Sequence, residues 1–70
     1  MSSASAYDRG HAAGYAAAVD REHAGDATAE DADNGVVWFT IPADEHLDAD
    51  AATEYERGWV LGWSEYLSTR

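Results

Sequence analysis

The chain of 70 residues carries fourteen Asp and Glu against four Arg, so its formal net charge is -10, and it contains no Cys. A chain of this length forms at most one domain, with a small margin of stability. The composition excludes disulfides and thiolate sites, and the charge opposes binding to free DNA, free RNA and anionic membranes. The absence of Cys makes an intracellular protein the default, and no segment approaches the roughly 20 apolar residues of a membrane span. We therefore expect a soluble, cytoplasmic protein.

The first predicted element is a helix from about residue 4 to residue 23. Ser5 is placed to cap it, and Asp8 follows three positions later in a capping-box arrangement. Gly25 is a natural stop after the Ala-rich stretch. The pattern predicts an amphipathic helix whose inner face consists of small residues and tyrosines.

An acidic loop is predicted next, from Gly25 to Gly35. The stretch GDATAEDADNG is weakly apolar and bounded by glycines, which is typical of a solvated loop with at most one helical turn. Its acids lack the alternate-position spacing and the terminal Glu of a calcium-binding loop. The sequence therefore assigns no chemistry to this segment.

The segment VVWFTI, residues 36–41, predicts a short β-strand because β-branched and aromatic residues follow one another there. The backbone groups of a lone strand need a partner, and a second copy of the chain supplies an identical strand about a two-fold axis. We therefore expect a homodimer. The alternative is an extended connector that packs its side chains over its own helices. The predicted interface residues are Val36, Trp38, Phe39, Ile41, Trp59 and Trp63.

The last predicted element is a helix that begins at about residue 43 or 49 and ends near residue 68. Pro42 suits the earlier start, and Asp48 or Asp50 can cap the later one. The sequence as a whole predicts a mainly α, single-domain fold in α-β-α order. Two antiparallel helices are joined by the acidic loop and the β segment, and the fold is paired in a homodimer.

Both predicted helices contain the same pattern of aromatic, acid, Arg, Gly, three residues, Gly and aromatic. It reads YDRGHAAGY at residues 7–15 and YERGWVLGW at residues 55–63, an offset of 48 positions. Gly in a helix costs about 1 kcal/mol relative to Ala, so four such glycines indicate close helix packing. The residues predicted to pack the helices together are Gly10, Gly14, Gly58, Gly62, Tyr7 and Tyr55.

These motifs are similar to those of the ribosome modulation factor family, small bacterial proteins with Arg-Gly-x-x-Ala-Gly in one helix and Trp-x-x-Gly-Trp-x-Glu in the next. The resemblance implies a helical hairpin that binds the small ribosomal subunit and acts without catalysis. That family is basic and has a shorter connection, whereas this chain is acidic. The matching residues are Arg9, Gly10, Ala13, Gly14, Trp59, Gly62, Trp63 and Glu65.

Catalytic, cofactor-binding and metal-binding residues are not predicted. The hydroxyl of Ser64 has no His at helical spacing, so a nucleophile is unsupported. His11, His23 and His46 lack a ligand spacing such as H-x-x-x-H. A metal site assembled in space from His23, His46 and nearby carboxylates stays open as an alternative.

The sequence favours a small, acidic, non-catalytic protein-binding module or regulator, of the kind found in phages and mobile elements. One alternative is a ribosome-associated factor like the resembled family. Another is a DNA mimic that blocks a nucleic-acid-binding protein with its carboxylates. The acidic composition has two further origins that the sequence does not separate, a GC-rich genome and a halophilic proteome.

Overall fold

A computed structural model describes residues 5–69. Two long helices dominate it, α1 (Ala6–His23) and α3 (Ala49–Ser68). Between them lie a 3-10 helix (Ala29–Asn34) and a one-turn helix, α2 (Gly35–Trp38). The mainly helical class predicted from the sequence is confirmed.

Both long helices begin at capping residues that the sequence identified. Ser5 Oγ accepts a hydrogen bond of 3.1 Å from the amide of Asp8, and Asp48 Oδ1 accepts one of 2.8 Å from Ala51. The later of the two predicted starts for the last helix is therefore the observed one. After α1, Gly25 turns the chain with a φ of 81°, which a residue without Cβ adopts at no steric cost.

The two long helices run parallel, so the predicted antiparallel arrangement is wrong. Gly10 lies against the backbone of Tyr55 and Gly14 against that of Trp59, so contact partners advance in the same direction along both helices. The segment 24–48 makes this possible because it is long enough to return along a helix of about 30 Å. We call it the crossover segment.

The contact between α1 and α3 is reciprocal. Gly10 faces the Tyr55 carbonyl, and Gly58, which lies 48 positions after Gly10, faces the carbonyl of Tyr7. In the same way, Gly14 faces the carbonyl of Trp59, and Gly62, 48 positions after Gly14, faces the carbonyl of His11. Such an isologous contact normally joins two copies of one chain, and here it relates two helices of a single chain by a pseudo-two-fold axis. The six residues predicted for helix packing all lie at this contact or beside it.

The four glycines let the helix backbones touch. A Cβ built on Gly14 overlaps the Trp59 carbonyl and lies 2.7 Å from the Trp59 Cα, and one built on Gly62 lies 2.9 Å from the Tyr15 amide nitrogen. Side chains at these positions would force the helices apart. Backbone contact over two helical turns therefore offsets the low helix propensity of Gly.

The predicted β-strand is also wrong. Residues 35–38 form the turn of α2, and the chain becomes extended only at Phe39, whose φ is -61° and ψ 132°. Trp38 and Phe39 pack against the buried core of the same chain. This is the packed-connector alternative, although its first half is helical. Side-chain burial against α3 has overridden the β propensity of VVWF.

Candidate protein-binding surface

The aromatic residues of α3 form the centre of the core. Trp59 and Trp63 stack with ring centroids 5.4 Å apart, and Trp63 is fully buried. The indole Nε1–H of Trp63 donates a hydrogen bond of 2.8 Å to the carbonyl of Asp31, which ties the 3-10 helix to α3. Both tryptophans were predicted to lie at an intermolecular interface, and in the single chain they are inside.

The crossover segment covers these rings with Trp38 and Phe39. Trp38 stacks on Trp63 at 5.5 Å between centroids, and Phe39 meets Trp59 edge-on at 5.6 Å. Arg21 closes the outer side of Trp38, with its guanidinium carbon 5.1 Å from the ring centroid. Two of the four crossover residues predicted for an interface are thus half-buried within the chain.

The helix α2 turns its two valines outward. Val36 is 60% exposed and Val37 is 78% exposed. Gly35 fixes this orientation, because its Cα packs on the indole of Trp63 so closely that an added Cβ would lie 3.1 Å from Trp63 Cδ1. With Gly35 and Trp38 held on the core, the residues between them have to face solvent.

A groove runs between α2 and α3, and we call it the valine groove. Val36 forms one wall, and Val60 and Leu61 form the other, with Leu61 42% exposed. The groove is open and encloses a volume of about 650 Å³. Its remaining lining residues are Thr53, Glu56, Arg57 and Ser64.

Acidic side chains lie in the valine groove and beside it on α3. On α3, Glu54 and Glu65 are exposed and lie seven positions before and four positions after Leu61, on the same side of the helix. Glu56 lines the groove itself. Glu30 and Asp33 are exposed on the 3-10 helix that leads into α2. The one positive charge in α3, Arg57, lies 3.6 Å from Glu54.

The second side of the α1–α3 pair carries a different chemistry. Here Tyr7, His11 and Tyr15 occupy the positions equivalent to Tyr55, Trp59 and Trp63, and Tyr15 is 43% exposed. We call this the open side. The side that carries Tyr55, Trp59 and Trp63 under the crossover segment is the covered side.

Polar contacts cross the open side between the two helices. His11 Nε2 lies 3.0 Å from Glu65 Oε2, and Tyr15 meets the ring of Tyr66 edge-on at 5.2 Å. Tyr66 in turn donates a hydrogen bond of 3.0 Å to Glu22.

The phenol of Tyr55 has a shifted pKa. Burial raises the pKa of its phenol above the usual 10.0, and the nearby carboxylate of Glu45 raises it further. The positive charge of Arg9 lowers the pKa of Tyr55. Arg9 also forms an ion pair with Glu45, with 3.2 Å between Nη2 and Oε1, which holds the end of the crossover segment against α1. This cluster explains how the end of the crossover segment is held in place.

Sequence reasoning missed Val37 and Leu61 as exposed apolar residues and the partly buried Val60 as part of the groove wall. A signal was present, because residues 53, 57, 60, 61 and 64 follow the spacing of a second helical stripe on α3. The Trp-containing stripe of α3 masked it, since that stripe is larger and more apolar. Of the predicted interface residues, Val36 and Ile41 are the two that the structure leaves exposed.

Within residues 5–69, no group of three His, Asp or Glu side chains is placed to hold a metal ion. No helix in the same part of the chain is long and apolar enough to cross a membrane. No family model, curated protein or solved structure matches the chain. The resemblance to the ribosome modulation factor family therefore stays an interpretation of the two glycine motifs.

Proposed function

We propose that this protein is a non-catalytic protein-binding module and that the valine groove is its binding surface. One observation carries the proposal, namely the exposure of Val36 in the groove that it forms with Val60 and Leu61. Val37, the next residue in the chain, is also exposed. Apolar side chains that line a groove with polar edges are typical of protein interaction sites.

The arrangement of the core supports this assignment. The chain buries its largest aromatic residues, Trp59 and Trp63, with its own crossover segment, so they are occupied without a partner. The valines of α2 are left outside although a single polar substitution at each would remove the exposed apolar area. Their exposure is therefore better explained by a binding role than by the needs of folding.

Affinity purification from the native host tests the proposal when the groove variants Val36→Asp and Leu61→Asp are compared with the wild type. Both residues are exposed, so the charge is tolerated by the fold and disrupts only an apolar contact. Ala12→Asp is the matched control, since Ala12 is exposed on α1 away from the groove. We expect one host protein to be retained by the wild type and the control and lost from both groove variants.

A photo-crosslinking residue at position 61, compared with one at position 12, locates the contact. Crosslinking of that same host protein from position 61 alone supports the proposal. A partner retained in full by both groove variants, or crosslinked from position 12 alone, contradicts it. A ribosomal protein as partner would favour the modulation-factor alternative, and a DNA-binding enzyme would favour the DNA-mimic alternative.

A further inference from the structure

We propose that the partner segment bound in the valine groove is an amphipathic helix with basic residues flanking its apolar face. This inference rests on the proposed function and adds the chemical class of the partner. Three observations support it: the shape of the groove, the absence of a strand edge within residues 5–69 and the distribution of charge around the groove.

The shape of the groove suits a helix. Its α3 wall extends from Thr53 to Ser64, three turns or about 16 Å, and the valine of α2 forms the opposite wall. Side chains at positions i, i+3 or i+4 and i+7 of a bound helix would meet this wall over its full length. An extended peptide would need a strand edge to pair with, and residues 5–69 contain no strand.

The charge around the groove selects a basic partner. Glu56 lines the groove, and Glu54 and Glu65 are exposed on the side of α3 that carries Leu61. Lys or Arg beside the apolar face of a bound helix would meet these carboxylates. The cation in the lining, Arg57, is paired with Glu54. A second copy of this chain would instead bring a net charge of -10 to the contact. Electrostatics therefore disfavours self-association through this surface and accelerates encounter with a cationic helix.

Three synthetic peptides of about 18 residues test the inference by fluorescence anisotropy against the full chain. The first is a Leu/Lys peptide with Leu at helical i, i+3, i+4 and i+7 spacing. The second is its Leu/Glu counterpart, and the third has the composition of the first but a permuted order without an apolar face. We expect the first to bind at least about tenfold more tightly than either of the others.

Variants of the chain separate groove binding from general attraction to an acidic protein. Leu61→Asp and Val36→Asp are expected to weaken binding of the Leu/Lys peptide about tenfold, whereas Ala12→Asp, which adds the same charge elsewhere, leaves the affinity unchanged or slightly raised. Glu54→Gln is expected to weaken binding less, with an effect that shrinks as NaCl rises from about 50 to about 300 mM. Circular dichroism of each variant confirms that it remains folded.

The inference is overturned if the permuted Lys peptide binds as tightly as the amphipathic one, or if the groove variants bind the amphipathic peptide unchanged. It is also overturned if sedimentation shows a dimer that Leu61→Asp dissociates, because a second copy would then occupy the groove. A host protein that crosslinks from position 61 through an acidic or non-helical segment would leave the proposed function standing and refute this inference alone.

Discussion

The two sides of the α1–α3 pair share one backbone geometry and differ in what lies on them. On the covered side, Tyr55, Trp59 and Trp63 lie under the crossover segment. On the open side, the equivalent residues Tyr7, His11 and Tyr15 lie beside α3 and are partly exposed. The reciprocal glycine contact has the same backbone geometry on both sides. The difference in burial between the two sides therefore comes from their side chains.

Polarity decides which side is covered. His11 and Glu65 bridge the open side with a contact of 3.0 Å, and their charged or polar atoms stay hydrated without further protein. Without the crossover segment, two tryptophans and a tyrosine on the other side would expose far more apolar area. Burying an aromatic side chain is worth about 1.5–3 kcal/mol. The glycines therefore determine how closely the two helix backbones approach. The crossover segment packs on the side with the larger aromatic side chains, because more apolar area is buried there.

The largest difference between the two sides is expected for an equivalent pair of substitutions, Trp63→Ala and Tyr15→Ala. Trp63→Ala removes a fully buried ring, both of its stacking contacts and its hydrogen bond to Asp31. We expect a loss of about 3–5 kcal/mol, which is comparable to the stability that the core of so short a chain supplies. Tyr15→Ala removes a partly exposed ring and is expected to cost about 1 kcal/mol. Urea denaturation followed by circular dichroism measures both, and equal losses would contradict the comparison.

The glycine contact that both sides share is tested by Gly14→Ala. Helix propensity alone predicts that this change stabilises the helix by about 1 kcal/mol. Overlap of the new Cβ with the Trp59 backbone predicts instead a net loss of about 1–3 kcal/mol, because backbone atoms cannot turn aside as a flexible side chain does. Gly62→Leu is expected to lose at least as much.

Ala12→Gly is the matched control for the glycine contact, since it makes the reverse change at an exposed position of the same helix. It should cost only about the 1 kcal/mol of propensity. Thermal melts of the three variants compare these effects. A Gly14→Ala or Gly62→Leu protein that melts at or above the wild-type temperature would show that the helices do not touch at these positions.

A smaller effect is expected on the open side for Glu65→Gln. The carboxylate is about half exposed and its contact with His11 is solvated, so its loss should reduce the stability by less than about 1 kcal/mol and the reduction should shrink with added salt. Glu45→Gln is the comparison on the covered side, because Glu45 is less exposed and pairs with Arg9 through two hydrogen bonds. We therefore expect the larger loss of stability for Glu45→Gln in urea denaturation. A larger loss for Glu65→Gln would contradict the view that the contact on the open side contributes less than the Arg9–Glu45 pair.

The smallest expected effect is a loss of folding stability in alkaline solution, caused by ionisation of the buried Tyr55 phenol. Burial raises the pKa of Tyr55, so the folded chain favours the neutral phenol. Its contribution to stability is present below the unfolded pKa of about 10 and is lost as the pH rises from there through the folded pKa. Stability of the wild type should therefore fall in that range more steeply than that of Tyr55→Phe. Tyr7→Phe, at the equivalent position, should retain the steeper fall.

The sequence by itself determined the local structure of this protein. Capping by Ser5 and Asp48, the stop at Gly25 and the glycine spacing of both helices depend on neighbouring residues only, and each has a direct physical reading. The repeat at an offset of 48 also identified the residues that lie at the helix contact, because a glycine pair within a helix has few other uses.

Only the tertiary structure decided the direction of the second long helix and the conformation of residues 36–41. Both depend on long-range burial, since the crossover segment gains most when it returns along the pair and lays Trp38 and Phe39 on Trp59 and Trp63. Local propensity for a strand is worth less than this burial, so VVW forms a helical turn with its valines outside. The exposed groove is a consequence of that choice, which is why no local pattern at residues 36–41 predicted it.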